Sequence, residues 1–276
     1  MKELQSSFSN ILANKAIMFP EKISCQKING EKITYKELDK YVNYCSFYLD
    51  KNGIRVGGTL TIAIPNSLTS IIIFLACIRS GIVVNPCPSS LSDNELVRNI
   101  NFIKTDLLVT NRSIVNKEMN PDCIQVLFKS DDDFLSMLDT YEGGEFTRSI
   151  PWDTTACIYY SSGTTGSPKC VMYSYKNMVS LVDSIVADFG FTEETIHLGV
   201  LPLGHTAIIN YQFLPSLYTG STLYLAENFN SVRGNIWKII SNYNISYLQV
   251  VPTILFSMIA LVHGGVLLKM LQGSKF

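Results

Sequence analysis

The sequence predicts an α/β protein built on a largely parallel, doubly wound sheet. Two observations lead there. Short β-rich runs alternate with longer helical patterns between Thr59 and Thr110, and most helical runs carry their own start and stop residues. Residues 6–19 have helical spacing, with Phe8, Ile11, Leu12 and Ile17 available for one apolar face. Residues 22–26 and 31–34 read as strands joined into a hairpin by Ile28-Asn29-Gly30. Thr34-Tyr35-Lys36-Glu37 is a capping box, so a helix starts there, runs to about Lys51 and stops at Gly53.

Residues 59–64 form the next strand pattern, and residues 67–81 a helix closed by Gly81. Val83-Val84 leads into Asn85-Pro86-Cys87-Pro88, whose prolines enforce an extended exit. Ser92-Asp93-Asn94-Glu95 opens a further helix by the same capping pattern, and residues 106–110 are a strand. Residues 129–148 read as the least ordered stretch, with Asp131-Asp132-Asp133 a solvated loop in preference to a metal site. Ser174 caps a helix from Tyr175 to about Asp188 that stops at Gly190. Strands follow at 197–201 and at 247–251, with Trp237 in a helix between them.

Composition narrows the function. Across 276 residues, 22 Lys plus Arg balance 23 Asp plus Glu, which leaves no field to draw nucleic acid or an anionic membrane. Small-molecule chemistry suits such a chain. Its seven cysteines are odd in number and free of any CxxC pair, the pattern of reduced thiols in a cytoplasmic protein. The N-terminal residues show no secretory signal, and no stretch reads as a membrane span. The apolar run 250–268 is interrupted by Pro252, Thr253, Ser257 and Gly264-Gly265, and reads as a buried helix with a broken end.

The segment Tyr159 to Lys169, YYSSGTTGSPK, carries the chemistry. Apolar and aromatic residues flank it on both sides, so it joins two short strands. Gly163 and Gly166 let backbone N–H groups approach an anion, Ser161, Ser162, Thr164, Thr165 and Ser167 add hydroxyl donors, and Lys169 adds a positive charge. Such a loop fits a polyanion. It is not a Walker A loop, because Pro168 precedes Lys169 and Cys170-Val171 follows, where Gly-Lys-Ser/Thr leading into a helix is required. A plain Ser/Thr/Gly surface turn is the alternative from composition alone.

From Ser161 to Lys169 the loop resembles the phosphate-binding signature of the adenylate-forming (AMP-binding) superfamily, which holds acyl- and aryl-CoA synthetases, nonribosomal peptide adenylation domains and luciferases. Ile33-Thr34-Tyr35-Lys36-Glu37-Leu38 resembles its LTYxEL element, Arg79-Ser80-Gly81 with Val83-Val84-Asn85-Pro86 its KAGxxxxPxxP element, and Leu201-Pro202-Leu203-Gly204-His205 its LPLxH element. The chain departs from the pattern at Cys170, where glycine is usual. The resemblance implies ATP-dependent activation of a carboxylic acid as an acyl adenylate, then transfer to a thiol of coenzyme A or an acyl carrier protein. It implies that Ser161, Ser162, Gly163, Thr164, Thr165, Gly166, Ser167 and Lys169 bind the phosphates of ATP. Thr165 would stand near Mg, and Lys169 and His205 would be catalytic, His205 beside the carboxylate. His197 and His263 match no element and read as structural.

The resemblance covers the family's N-terminal portion. No YGxTE or GD element follows before Phe276, nor the small C-terminal domain. The expectation is therefore an incomplete large domain, inactive alone, that is either the N-terminal portion of a longer protein or one part of a split enzyme served by a complementing C-terminal polypeptide. Its first α/β subdomain would span 59–186 with the phosphate loop, and an incomplete second would combine 1–58 and 187–276. A non-catalytic remnant or interaction module, and an unrelated phosphate-binding ATPase, stay open as alternatives.

Overall fold

Side-chain caps fix where the helices begin. The computed structural model describes residues 8–28, 30–141, 144–161 and 169–261. After α1 (Phe8–Met18), Thr34, Ser67 and Ser92 open α2 (Tyr35–Lys51), α3 (Leu68–Ser80) and α4 (Asp93–Ile103) with reciprocal capping boxes. Each cap side chain accepts the amide three residues on, and that residue's side chain accepts the cap's own N–H. Gly81, at φ 73°, then ends α3 in the left-handed region that a side chain would strain.

Two sheets form the frame. The larger has the order β6-β5-β3-β4-β7-β8, from β3 (Thr59–Ala63), β4 (Val83–Pro86), β5 (Leu107–Thr110), β6 (Ile124–Leu127), β7 (Thr155–Ser161) and β8 (Lys169–Ser174). All its pairs are parallel except β7 with β8. The smaller has the order β2-β1-β10-β9, from β1 (Ile23–Lys27), β2 (Lys32–Thr34), β9 (Ile196–Gly199) and β10 (Thr222–Leu225). There only β1 with β2 is antiparallel. Helix α6 (Tyr175–Phe189) follows β8, and α9 (Phe229–Val232) and α10 (Ile236–Asn242) follow β10.

Winding of the larger sheet follows from the handedness of parallel crossovers. The chain steps from β3 to β4 through α3, then back across β3 to β5 through α4, so right-handed connections place α3 and α4 on opposite faces. Packing agrees: Leu60, Ile62, Leu107 and Val109 share one core with Ile71, Ile72 and Leu75 of α3, whereas Ala63 and Leu108 share another with Leu96, Val97 and Ile100 of α4. Each large aliphatic side chain removed from water there contributes about 1.5–3 kcal/mol. Helix α3 is buried along its whole length, which explains why its sequence is apolar without a polar stripe.

Four expectations change. The stretch expected to be least ordered, 129–148, holds a capped helix among its described residues: Ser130 caps α5 (Asp131–Leu138), and Asp131 is buried, not solvated. Its carboxylate accepts the Thr69 N–H at 2.9 Å and the Thr69 hydroxyl at 2.7 Å, and meets the Lys27 ammonium at 3.0 Å. The acidic run therefore staples α5 to the start of α3 and to β1. Residues 247–251 form no strand; Tyr247 makes a single bridge to His197, and the chain turns toward Pro252, which has no N–H to give a ladder. Helix α11 (Pro252–Leu261) is not buried: Met258 enters the core, but Leu255, Phe256 and Ile259 are exposed. The strand expected at 197–201 ends at Gly199, because Leu201 and Leu203 turn into the core between the sheets. Strand β6 has no forerunner in the sequence pattern. None of the described helices is long and apolar enough to cross a membrane.

Candidate functional site

Strands β7 and β8 form a hairpin whose open end is fixed by register. Ser161 faces Lys169, Tyr160 faces Cys170 and Tyr159 faces Val171. The expected phosphate-binding residues Ser162, Gly163, Thr164, Thr165, Gly166 and Ser167 lie outside the described residues. Both anchors are in place, with the Lys169 side chain exposed where β8 begins. A strand follows the loop, so the strand-to-helix geometry of a Walker A site is absent from this hairpin. Tyr160 ties β7 to α4: its hydroxyl donates to the Asn99 carbonyl at 3.2 Å, and its ring meets Phe102 edge-on at 6.3 Å. Cys170, which stands where a glycine was expected, is half-buried, and that burial raises its thiol pKa. It is a neutral thiol at the start of β8.

His205 reaches the same edge from the smaller sheet. After β9 the chain runs through Leu201-Pro202-Leu203-Gly204, and the His205 N–H donates to the Pro202 carbonyl at 2.9 Å as α7 (Thr206–Ile208) begins. A π-helical turn at Ile209–Phe213 and α8 (Leu214–Thr219) continue this helix. Gly204 lies against the exit of β4. A Cβ on it would stand 2.1 Å from the Pro88 nitrogen and 2.3 Å from the Cys87 carbonyl carbon, so only glycine allows the approach. Strand β4 is the parallel neighbour of β7, paired Val84 to Cys157, so the exit at Cys87-Pro88 and the hairpin loop leave the same carboxyl edge.

Position on that edge has chemical meaning. Open α/β sheets bind ligands outside the carboxyl ends of their strands, where successive connections depart to opposite faces. Here that point lies between β3 and β4, and the segment ending in His205 inserts there. The His205 side chain is exposed, while the protein around it lowers its pKa by desolvation. A neutral imidazole at physiological pH is the result, able to donate or accept a hydrogen bond. His197 is elsewhere, fully buried on β9 between Phe191 and Tyr247 at ring distances of 4.9 and 5.6 Å. Burial takes its pKa down to about 4. His263 lies outside the described residues. No sequence signal marked Asn66, yet its amide bonds three backbone groups beside this site. Among the described residues no group of three or more His, Cys, Asp or Glu side chains is arranged for a metal ion.

These features define an α/β protein with a donor-rich hairpin loop and a histidine brought to one carboxyl edge. The family described as AMP-binding enzyme matches residues 12–272, and the chain belongs to that family. It is 27% identical over 247 residues to a probable CoA ligase of Humulus lupulus, covering 83% of this chain and 44% of that protein. It is 27% identical over 258 residues to 2-succinylbenzoate–CoA ligase of Geobacillus sp. (strain WCH70), covering 93% and 50%. Among solved structures, O-succinylbenzoate coenzyme A synthetase from Bacillus subtilis in complex with AMP superposes with a TM-score of 0.78 at 24% identity, covering 90% of this chain and 63% of that one. The shared fold is what that last likeness shows. The chain spans about half the length of the curated relatives it matches.

Proposed function

We propose that this chain supplies the phosphate-binding loop and the carboxylate-side histidine for ATP-dependent activation of a carboxylic acid. A carboxylate oxygen attacks the α-phosphorus of ATP, the bond to the β-phosphate oxygen breaks, and pyrophosphate leaves with the acyl adenylate retained. A thiol of coenzyme A or a carrier protein then attacks the acyl carbonyl and AMP departs. The chain's part is to neutralise the departing pyrophosphate and to orient the acid. Lys169 at the base of the hairpin, with Ser161 to Ser167, is suited to the phosphates, and His205 to a hydrogen bond with the carboxylate. Magnesium, held in part by the Thr165 hydroxyl, would add charge neutralisation on the phosphates. In this reading residues 59–186 form the phosphate-side subdomain, and 1–58 with 187–276 the other.

The observation that carries the proposal is the shared edge: the hairpin pinned at Ser161–Lys169 and the Cys87-Pro88 exit, on which the Gly204–His205 segment packs, follow the neighbouring strands β7 and β4. The sequence through Phe276 holds no YGxTE or GD element to supply magnesium and ribose contacts. Pyrophosphate exchange into ATP is therefore expected to be negligible with the 276-residue chain alone and to appear, with one acid of a panel, once a polypeptide carrying those elements is added. Robust exchange by the chain alone would overturn the need for a complementing piece. Acid-independent ATP hydrolysis would favour an ATPase. The exposed Leu255, Phe256 and Ile259 of α11 favour one second reading, an interaction module. It predicts no ATP binding with or without the added polypeptide.

A further inference from the structure

The described residues assign Cys87, Cys123 and the other buried thiols to the core, and Asp131 to a structural staple, whereas Asn66 has partners that lead directly to the candidate site. It stands in the turn between β3 and α3, at the switch point of the larger sheet, and is 4% exposed. Its Nδ2 donates to the Leu201 carbonyl at 2.8 Å and to the Ala226 carbonyl at 2.9 Å. Its Oδ1 accepts the Leu203 N–H at 2.7 Å. Both amide protons are thus used, and two of the three partners flank Pro202, whose carbonyl receives the His205 N–H. The third, Ala226, lies just past β10, and its own N–H is bonded to the Gly199 carbonyl at the end of β9.

We infer that Asn66 is a positioning residue for His205: it clamps residues 201–203 to the exit of β3 and so fixes where the histidine meets the carboxyl edge. Gly204 supplies the other half of the placement. With Leu203 held by Asn66 and Gly204 seated on Pro88, the backbone that enters α7 is gripped on consecutive residues. A carboxamide is the side chain that can do this, because it donates twice in one plane and accepts once. Aspartate would set its carboxylate against two carbonyl oxygens. Alanine would leave those carbonyls and the Leu203 N–H without their partner in a buried seam. The catalytic meaning of the clamp rests on the functional reading above; the clamp itself does not.

The test is made on the 276-residue chain by NMR. In the unmodified protein the Leu203 amide should exchange with solvent as slowly as the β3 and β5 amides; exchange as fast as that of an exposed turn would overturn the inference without any variant. Asn66→Ser, the mild change, should lower Leu203 protection by about tenfold, the scale of one net hydrogen bond. It should also move the titration midpoint of His205 toward that of a free imidazole. Amides of β5, such as Leu108, should keep their protection. Asn66→Ser with an unchanged His205 titration would refute positioning. A His205 that moves while Lys169→Ala leaves ATP binding of the chain and any complementing piece unaltered would keep the clamp and sink the functional reading.

Discussion

Replacing Asp131 by alanine should destabilise the chain far more than replacing its neighbour Asp132. The Asp131 side chain is 1% exposed, and it receives two hydrogen bonds from Thr69, one from the backbone at the start of α3 and one from the hydroxyl. Alanine leaves both donors inside the protein without an acceptor, at about 1–3 kcal/mol each. Lys27 does not become an isolated charge, because it keeps Glu31 at 3.0 Å. Loss of an acid from the first turn of α5 adds a few tenths of a kcal/mol. The expected loss is about 3–4 kcal/mol, or roughly 10 °C in Tm for a chain of this size. Asp132 is exposed, and its removal should stay within about 0.5 kcal/mol. Asp131→Asn, which keeps one acceptor oxygen, should fall between. Urea unfolding followed by circular dichroism measures all three. Equal losses for Asp131→Ala and Asp132→Ala would refute the staple and return the acidic run to a solvated loop.

Stability should fall in acid through His197. Its folded pKa is lowered from 6.5 to about 4, so the unfolded chain takes up a proton first as pH drops. The contribution is complete above about pH 6.5 and is lost between there and about pH 4, amounting to roughly 3 kcal/mol. His197→Phe should flatten that part of the profile measured by urea unfolding, and an unchanged slope would show that other groups set it. Thiol labelling of the native chain should modify Cys170 before Cys25, Cys45, Cys77, Cys87, Cys123 and Cys157, since it alone is not buried. Mass spectrometry of the first adduct decides this. Lys169→Ala should cost the complemented activity about 2 kcal/mol or more, the scale of a lost electrostatic contact to developing charge. An unaltered exchange rate would remove Lys169 from the chemistry.

Where the chain could be read from its sequence, the chemistry was local. Thr34 with Glu37 and Ser92 with Glu95 satisfy helix termini within three residues of themselves, so the boxes are visible without knowing the fold. The hairpin of β7 and β8 is legible for the same reason, as two β-rich runs around a glycine-rich sequence. Asp131 was misread because its partners are remote, 62 residues away at Thr69 and 104 at Lys27. A run of three acids looks the same whether its first member faces water or a buried helix terminus. The 247–251 segment failed in the opposite sense. Its residues suit a strand, but strand formation needs a partner edge, and only Tyr247 finds one.

The candidate site divides along the same line, and the division bears on how it works. The residues that meet substrate in the proposed reaction lie in short motifs, since the loop needs its donors contiguous and His205 needs only a strand exit to reach the edge. The residues that make those motifs coincide in space are long-range. Asn66 reaches 135, 137 and 160 residues along the chain, and Gly204 is required by a contact with Cys87-Pro88. Gly204→Ala therefore separates the two roles. It leaves every side chain of the motif unchanged, yet it must push His205 away from the β4 exit or shift Pro88 itself. The variant should bind ATP through the hairpin as the parent does while losing acid-dependent exchange in the complemented enzyme. Loss of both together would mean that the loop and the histidine depend on one backbone seam and cannot be perturbed apart.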